Sequence, residues 1–288
     1  LVIGWRASPG APADEPQHQT MGRIMPALLH TLEIPFEVLT PNPEEVAKAV
    51  QRARQHIDSK RTAFALVVRT DLLDRKPSEK AQPPSPLLLR KEIIETVVGA
   101  LPAETLYVAT TGKTARELFS IRETLKQPHD HDFYTVGAMG CASSIALGIA
   151  QKLKKTQPRR GVCVIDGDGA ALMQLGSLAS IGNQEDLHIL HILVDNHAHE
   201  STGGQPTISR GVPFEKLALA CGYRKATRVE TREQLRSALA ASQGPGPQMI
   251  VIESRLGSDP KLGRPTQTPL QNVDAFLQNL GVLPCKLS

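Results

Sequence analysis

The feature that most constrains the fold is an alternation of short apolar segments with helical segments after about residue 87. The apolar segments at 105–109, 161–165, 188–195 and 249–252 read as buried strands without a polar face. Helices are expected between them, at 87–100, from about 114, and at 139–154, 170–182, 214–221 and 231–242. Strands that are apolar on both faces are typical of a parallel sheet covered by helices. We therefore predict an α/β fold with a mostly parallel sheet.

The residues before this region form a separate part of the chain. Helices are predicted at 24–33 and from Pro43 to about Ile57, with strands near 36–39 and 63–68. The segment 74–86 is polar and contains four prolines, a composition typical of a linker. The predicted organisation is a first domain at 1–73, a linker at 74–86, and a second domain at 87–288.

Composition excludes several classes of function. Lys and Arg number 33 against 29 Asp and Glu, and aromatic residues are only 3%, so a nucleic-acid-binding surface is not indicated. No apolar run approaches the ~18–20 residues that span a bilayer, and the start of the chain does not resemble a signal peptide. The four cysteines lack C-x-x-C spacing and are predicted to be buried thiols. We expect a cytoplasmic protein with no nucleic-acid or membrane partner.

The most informative motif is Gly167-Asp168-Gly169, at the end of one predicted strand. Asn196 ends the next predicted strand, 28 positions later. Ligands of open α/β sheets bind at the carboxyl ends of the strands, and neighbouring strands lie ~4.8 Å apart. A carboxylate and an amide oxygen that converge there are suited to Mg²⁺. A helix beginning near Ala170 would add a favourable site for an anion, so the pattern predicts a metal and a phosphate group together.

These glycine-rich segments also resemble a helix cap and two nucleotide-binding motifs. Asp168 could simply cap a helix after a tight turn. The run Gly112-Lys113-Thr114 resembles the end of a phosphate-binding P-loop, but the required first glycine is replaced by Tyr107. The segment 167–172 lacks the third glycine of a dinucleotide-binding fingerprint. Neither nucleotide-binding motif is complete.

The Gly-Asp-Gly motif with its distant Asn resembles the cofactor motif of the thiamine-diphosphate-dependent decarboxylases. The resemblance implies that Mg²⁺ is held by the side chains of Asp168 and Asn196 and by the carbonyl of Ala198. It also implies that the Gly137 carbonyl accepts the 4′-amino group of thiamine diphosphate, and that Met139 wedges the cofactor into its bent shape. The remaining residues that it assigns to the cofactor are Thr110, Thr111, Gly112, Gly167, Gly169 and Ala170.

Further segments resemble one group within that family, the phosphonopyruvate decarboxylases and the related sulfopyruvate decarboxylases. These segments are 5–6, 14–18, 109–114, 133–134, 141–148 and 198–207. The implied reaction is decarboxylation of 3-phosphonopyruvate to phosphonoacetaldehyde and CO₂, with sulfopyruvate as the alternative substrate. The resemblance further suggests that Lys113 binds the phosphonate and that His199 donates a proton or binds substrate. Gln17 and His18 are expected to line the active site from the other domain.

The sequence departs from the family in one respect. The family's activating glutamate belongs to a segment that is expected to precede Leu1. The resemblance therefore identifies 1–73 as the last part of a pyrimidine-binding domain and 87–288 as a diphosphate-binding domain. A non-catalytic, cofactor-binding fragment remains an alternative function. Because sites in this family form between subunits, a homodimer or homotetramer is implied.

Overall fold

Contacts within the chain divide it into two compact units, Leu1–Ala81 and Gln82–Ser288. The computed structural model describes residues 1–11, 14–72, 85–242 and 244–282. The predicted linker at 74–86 lies outside these residues, except for Ser85 and Pro86.

The N-terminal unit contains a small parallel sheet and two helices. The strands are β1 (Val2–Trp5), β2 (Phe36–Val38) and β3 (Ala65–Arg69), in the spatial order β1-β3-β2. The helices are α1 (Pro16–Thr31) and α2 (Pro43–Lys60). Helix α1 begins eight residues before the predicted start, at a proline suited to a first helical turn. The small core of this unit contains Met25, Leu29, Ala65 and Val67.

The C-terminal unit is built around a larger sheet. Its described strands are β4 (Leu88–Leu89), β5 (Leu106–Ala109), β6 (Asp132–Tyr134), β7 (Val162–Gly167), β8 (Ile189–Asp195), β9 (Ala198–His199), β10 (Gln205–Pro206), β11 (Lys225–Val229) and β12 (Gln248–Arg255). The main sheet has the order β11-β12-β8-β7-β5-β6, and β4 pairs with the end of β12. Every pairing described in this sheet is parallel. Strands β9 and β10 form a separate antiparallel pair. The predicted α/β fold with a mostly parallel sheet is confirmed.

Helices cover both faces of this sheet. The described helices are α3 (Arg90–Ala100), α4 (Lys113–Leu125), α5 (Ala142–Thr156), α6 (Asp168–Met173), α7 (Ser177–Gly182), α8 (Phe214–Ala220), α9 (Arg232–Ala240) and α10 (Pro269–Asn279). Residues of α3, α4 and α9, such as Ile93, Leu118 and Leu235, form one apolar cluster. Residues of α5, α7, α8 and α10 belong to the other. Burial on both faces explains why the strands are continuously apolar.

The strand order reverses at β5. Strand β6 pairs with one edge of β5, and β7 pairs with the other edge. The strands that follow β5 in the sequence therefore lie on both sides of it in the sheet. Such a reversal opens a crevice at the carboxyl ends of the strands, where α/β proteins bind ligands. The loops after β5, β6 and β7 lie at this edge.

Some predicted elements differ from the structure. The helix expected at 139–154 begins at Ala142, because Ala138 and Gly140 have positive φ angles that a helix does not allow. The helix expected at 170–182 is two short helices, α6 and α7, separated by 174–176. Strands β6 and β11 and helix α10 were not predicted.

The structure bears on two expectations drawn from composition, which concern membrane-spanning helices and the burial of the cysteines. Among the described residues no helix is both long and apolar enough to cross a bilayer. Cys141, Cys163 and Cys221 are unpaired, but only Cys163 is buried, so the prediction that all the cysteines are buried is wrong for the other two. Cys285 lies outside the described residues.

Candidate active site

Asp168 and Asn196 follow neighbouring strands at the same edge of the sheet. Strands β7 and β8 are adjacent and parallel, with Gly167 opposite Val194. Asp168 comes directly after this pair on one strand, and Asn196 comes two residues after it on the other. The prediction that the two strands are neighbours is therefore correct. Both side chains are buried, Asp168 to 2% exposure.

The Asp168 carboxyl lies in a polar but poorly hydrated environment. Burial raises its pKa above the ordinary value, and the nearby carboxylate of Asp195 acts in the same direction. The Thr207 hydroxyl donates a hydrogen bond to Asp168 Oδ2. A bound cation would favour the ionised carboxylate. This environment therefore suits a metal ligand better than an isolated helix cap.

The Asn196 amide is held on both sides. Its Nδ2 donates to Glu200 Oε2 at 3.1 Å, and its Oδ1 accepts from the backbone N–H of Ala198, also at 3.1 Å. Between them His197 has a φ of 59°, in the left-handed region, which turns the chain sharply after β8. The local backbone therefore brings the Ala198 N–H back to the Asn196 side chain.

The loop after β5 has the properties of an anion-binding segment. The Thr110 hydroxyl oxygen is buried and has no hydrogen-bond partner within the described residues. Gly112 has a φ of 95° and precedes the 13-residue helix α4, and a Cβ at this position would lie 2.6 Å from Ser201 Oγ. Thr111 Oγ1 accepts a hydrogen bond from Gly137 N at 3.1 Å. A free hydroxyl, a glycine and a helix N-terminus together fit a diphosphate.

The loop after β6 packs against the start of α6. A Cβ on Gly169 would lie 2.7 Å from the His199 ring and 3.4 Å from Met139 Cε. A Cβ on Gly140 would lie 2.9 Å from the Ala170 carbonyl oxygen. The glycines thus allow a close approach that any larger residue would prevent. The structure brings Met139, Gly169 and His199 together.

Lys113 is part of an ion-pair cluster that the sequence analysis did not anticipate. Its Nζ lies 3.1 Å from Glu200 Oε1, and the Lys113 side chain is 27% exposed. Glu200 Oε2 also accepts from Arg90 Nη1 at 2.8 Å. Arg90 in turn makes two hydrogen bonds to Glu117, at 2.8 and 3.0 Å. These partners come from distant helices and a loop, and no spacing in the sequence indicates their contact.

A second cluster lies beside the first, around Arg228. Its guanidinium pairs with Asp195, Glu215 and Glu253. His197 Nε2 lies 2.8 Å from Glu253 Oε2. A cavity of about 690 Å³ is lined by His197, Ser209, Arg210, Glu215, Arg228 and Glu253, among others.

The acidic and histidine groups of this second cluster do not require a metal. Asp195, His197 and Glu253 have atoms within 4.8 Å of one another that could serve as ligands. However, Arg228 already supplies a cation to two of these carboxylates. We therefore interpret the group as an ion-pair cluster.

Gln17 and His18 belong to the N-terminal unit. Both are half-buried in the first turn of α1, and Gln17 Oε1 is a buried atom without a hydrogen-bond partner among the described residues. Their assignment to the active site stays a prediction.

A match to a known protein family identifies the class of this protein as the enzymes that bind thiamine pyrophosphate through an α/β domain. Residues 110–253 match the family described as "Thiamine pyrophosphate enzyme, C-terminal TPP binding domain". The matched residues contain the loop after β5, Asp168 and Asn196. The chain belongs to the family of thiamine-pyrophosphate-dependent decarboxylases that includes the phosphonopyruvate decarboxylases.

Several named relatives support this membership. The phosphonopyruvate decarboxylase of Streptomyces viridochromogenes is 32% identical over 292 residues, covering 96% of this chain and 71% of the relative. That of Streptomyces hygroscopicus is 33% identical over 285 residues, covering 93% and 68%. The sulfopyruvate decarboxylase subunit beta of Methanococcus maripaludis is 38% identical over 170 residues, covering 58% of this chain and 85% of the relative.

Solved structures show the same fold at lower identity. A putative thiamin diphosphate-dependent enzyme from Mycobacterium smegmatis superposes with a TM-score of 0.51 and 18% identity. The benzoylformate decarboxylase of Polynucleobacter necessarius gives a TM-score of 0.51 and 17% identity. Each similarity covers 77% of this chain, which spans 44% of the length of those two proteins.

Proposed function

We propose that this protein decarboxylates 3-phosphonopyruvate to phosphonoacetaldehyde and CO₂, with thiamine diphosphate and Mg²⁺ as cofactors. The observation that carries the proposal is the placement of Asp168 and Asn196 after adjacent, in-register strands. The substrate follows from the similarity to two phosphonopyruvate decarboxylases over 96% and 93% of the chain.

The donor set fits the proposed metal. The Asp168 carboxylate, the Asn196 amide oxygen and the Ala198 carbonyl are all hard oxygen ligands, which Mg²⁺ prefers. These residues would hold the ion, and the ion would hold the diphosphate. The hydroxyl of Thr110, which has no hydrogen-bond partner among the described residues, and the N-terminus of α4 after Gly112 would bind the diphosphate oxygens. The C-terminal unit is accordingly proposed to be the diphosphate-binding domain.

The remaining site residues would orient the reacting groups. When bound, thiamine diphosphate supplies the ring that accepts the electrons released by decarboxylation. Gly137 would offer its carbonyl to the pyrimidine, and Met139 would pack against the cofactor. His199 is held beside Gly169, where its ring nitrogen would hold or donate a proton. Lys113 would provide a positive charge to bind the phosphonate. The same ammonium group also forms an ion pair with Glu200.

The remaining proposals concern the N-terminal unit and assembly. Residues 1–73 are proposed to be part of a pyrimidine-binding domain, with Gln17 and His18 contributing to a site formed between subunits. This assignment implies a homo-oligomer, since each site would then need two chains. Light scattering of the purified protein measures the assembly directly.

Sulfopyruvate is the second candidate substrate. The similarity to a sulfopyruvate decarboxylase subunit beta covers 58% of this chain and 85% of that subunit. Sulfonate and phosphonate differ by one ionisable oxygen, so the same cationic side chain can serve either. Parallel assays of CO₂ release from the two acids, with thiamine diphosphate and Mg²⁺, distinguish them. We expect the higher kcat/KM for phosphonopyruvate.

The metal assignment is tested by Asp168→Ala. We expect the loss of Mg²⁺-dependent binding of thiamine diphosphate, measured by calorimetry, to exceed about 100-fold, because a charged ligand is removed. Asp186→Ala is the control, since Asp186 is an exposed carboxylate that pairs with Lys154 in the same unit. Unchanged binding by Asp168→Ala would refute the ligand assignment. Cofactor binding by the wild type without CO₂ release from either acid would refute the proposed activity.

A further inference from the structure

Glu200 is a nearly buried carboxylate that contacts Arg90, Lys113 and Asn196. Its side chain is 11% exposed. Oε2 accepts from Arg90 Nη1 at 2.8 Å and from Asn196 Nδ2 at 3.1 Å. Oε1 accepts from Lys113 Nζ at 3.1 Å and from the backbone N–H of Gly257 at 3.2 Å. Four donors on two oxygens hold this carboxylate in one orientation.

Arg90, which donates to Glu200, is itself held rigidly by Glu117. Arg90 and Glu117 form a two-point pair whose side chains are only 7% and 2% exposed. A planar guanidinium held by two parallel hydrogen bonds has little freedom to rotate. Its remaining nitrogen therefore presents a fixed donor to Glu200. Glu117 lies on α4, the helix whose N-terminus follows the predicted diphosphate loop.

The chemistry of Glu200 determines which end of the Asn196 amide faces it. Flanked by Arg90 and Lys113, the carboxylate carries a negative charge and can only accept hydrogen bonds. It therefore attracts the NH₂ group of Asn196 and repels the amide oxygen. The oxygen is left on the side of the Ala198 backbone, whose N–H donates a hydrogen bond to it.

We propose that Glu200 is a positioning residue that holds the Asn196 amide with its oxygen available to the metal ion. The inference rests on the proposed function, in which Asn196 is a metal ligand. Residues that orient metal ligands in this way typically affect metal affinity about 10–100-fold.

The first experiment replaces the carboxylate by an amide, Glu200→Gln. We expect the Kd for Mn²⁺ in the presence of thiamine diphosphate, measured by electron paramagnetic resonance of the free ion, to rise about 10–100-fold. The introduced amide can present either end to Asn196 and so no longer selects its orientation. Glu95→Gln is the matched control on an exposed carboxylate of α3, and it should bind Mn²⁺ as the wild type does.

The second experiment exchanges the partners. Asn196→Asp places a second carboxylate against Glu200 and should weaken Mn²⁺ binding. The double variant Asn196→Asp with Glu200→Gln restores a donor–acceptor pair, because the introduced amide can donate to the introduced carboxylate. We expect the double variant to bind Mn²⁺ at least about 10-fold more tightly than Asn196→Asp alone, a recovery that follows from a restored orienting hydrogen bond.

The outcomes separate the two proposals. If the wild type binds no Mn²⁺ with thiamine diphosphate, the proposed function fails. If the wild type binds and Glu200→Gln binds equally well, only the positioning role is overturned. If Glu200→Gln proves unfolded by circular dichroism, Glu200→Asp takes its place, because it keeps the charge that faces Arg90 and Lys113 while a side chain shorter by one methylene withdraws the acceptor from Asn196. Mn²⁺ binding by a folded Glu200→Asp that equals the wild type then overturns the inference, as does failure of a folded double variant to recover affinity.

Discussion

Two ion-pair clusters contact the chain where β8 ends, and their charges are balanced in opposite ways. In the first, the carboxylates Glu117 and Glu200 are balanced by the cations Arg90 and Lys113. We call this the Glu200 cluster. In the second, three carboxylates surround the single guanidinium of Arg228. We call this the Arg228 cluster.

The clusters also differ in what they contact. The Glu200 cluster reaches the side chain of Asn196 directly. The Arg228 cluster instead contacts His197 through Glu253 and Asp195, and so supports the turn that follows Asn196. One cluster therefore contacts the side chain of Asn196, the proposed ligand, whereas the other contacts the turn that carries it.

Burial is the third difference, and it predicts how much each cluster stabilises the fold. Arg90 and Glu117 are almost completely buried, whereas the Arg228 side chain is 26% exposed. Water can partly replace a lost partner at an exposed site but not at a buried one. Removing the central arginine should therefore cost more in the Glu200 cluster.

The largest effect is expected from Arg90→Met. This change leaves Glu117 without a counter-charge in the interior, and we expect the free energy of unfolding to fall by about 3–5 kcal/mol. Urea denaturation followed by circular dichroism measures it. Lys91→Met, at the next and more exposed position, is the control and should change stability by less than about 0.5 kcal/mol. A loss below about 1 kcal/mol for Arg90→Met would contradict the expectation that removing the arginine of a buried ion pair strongly destabilises the fold.

A smaller effect is expected from Arg228→Met. Asp195 keeps the hydrogen bond from the Ser209 hydroxyl, at 2.7 Å, and Glu253 keeps His197. The free energy of unfolding should fall by about 1–3 kcal/mol, the range for hydrogen bonds to charged groups. The same denaturation experiment checks it, with Arg236→Met on the exposed side of α9 as control. A loss equal to that of Arg90→Met would remove the distinction between the clusters.

The smallest of these effects concerns the other predicted metal ligand. Thr207→Val removes the hydroxyl that donates to Asp168 Oδ2 while preserving the side-chain shape. We expect Mn²⁺ affinity to fall about 10-fold with little change in stability. Thr202→Val, at an exposed hydroxyl in the same loop, should leave the affinity unchanged. Equal affinities for both variants would show that Asp168 needs no support from Thr207.

The elements that sequence patterns predict well are those decided by local physics. The apolar strands at 105–109, 161–165 and 188–195 correspond to β5, β7 and β8, because burial on both faces leaves a continuous apolar run. Strand β11 was missed because it pairs with a neighbour on one side only and contains Lys225, Thr227 and Arg228. The start of helix α10 does have a local sequence signal, the capping box formed by Thr268 and Gln271.

The candidate site likewise has a part that local sequence patterns predict and a part that depends on the whole fold. The positions of Asp168 and Asn196 could be predicted because each ends a recognisable strand, and strand ends meet at one edge of a parallel sheet. The contacts of Glu200 could not, because Arg90 and Lys113 are 110 and 87 positions away in the chain. No periodicity connects residues at such separations.

The α/β sheet, and the placement of the glycine-rich loops, Asp168 and Asn196 at its strand ends, follow from the sequence, since strand burial and turn chemistry act over a few residues. Which charged groups surround Asp168 and Asn196 follows from the packing of the whole fold. Ion pairs form between whichever side chains the packed helices bring within a few ångströms, and that distance depends on the whole fold. The orientation of the Asn196 amide is therefore a property of the folded molecule.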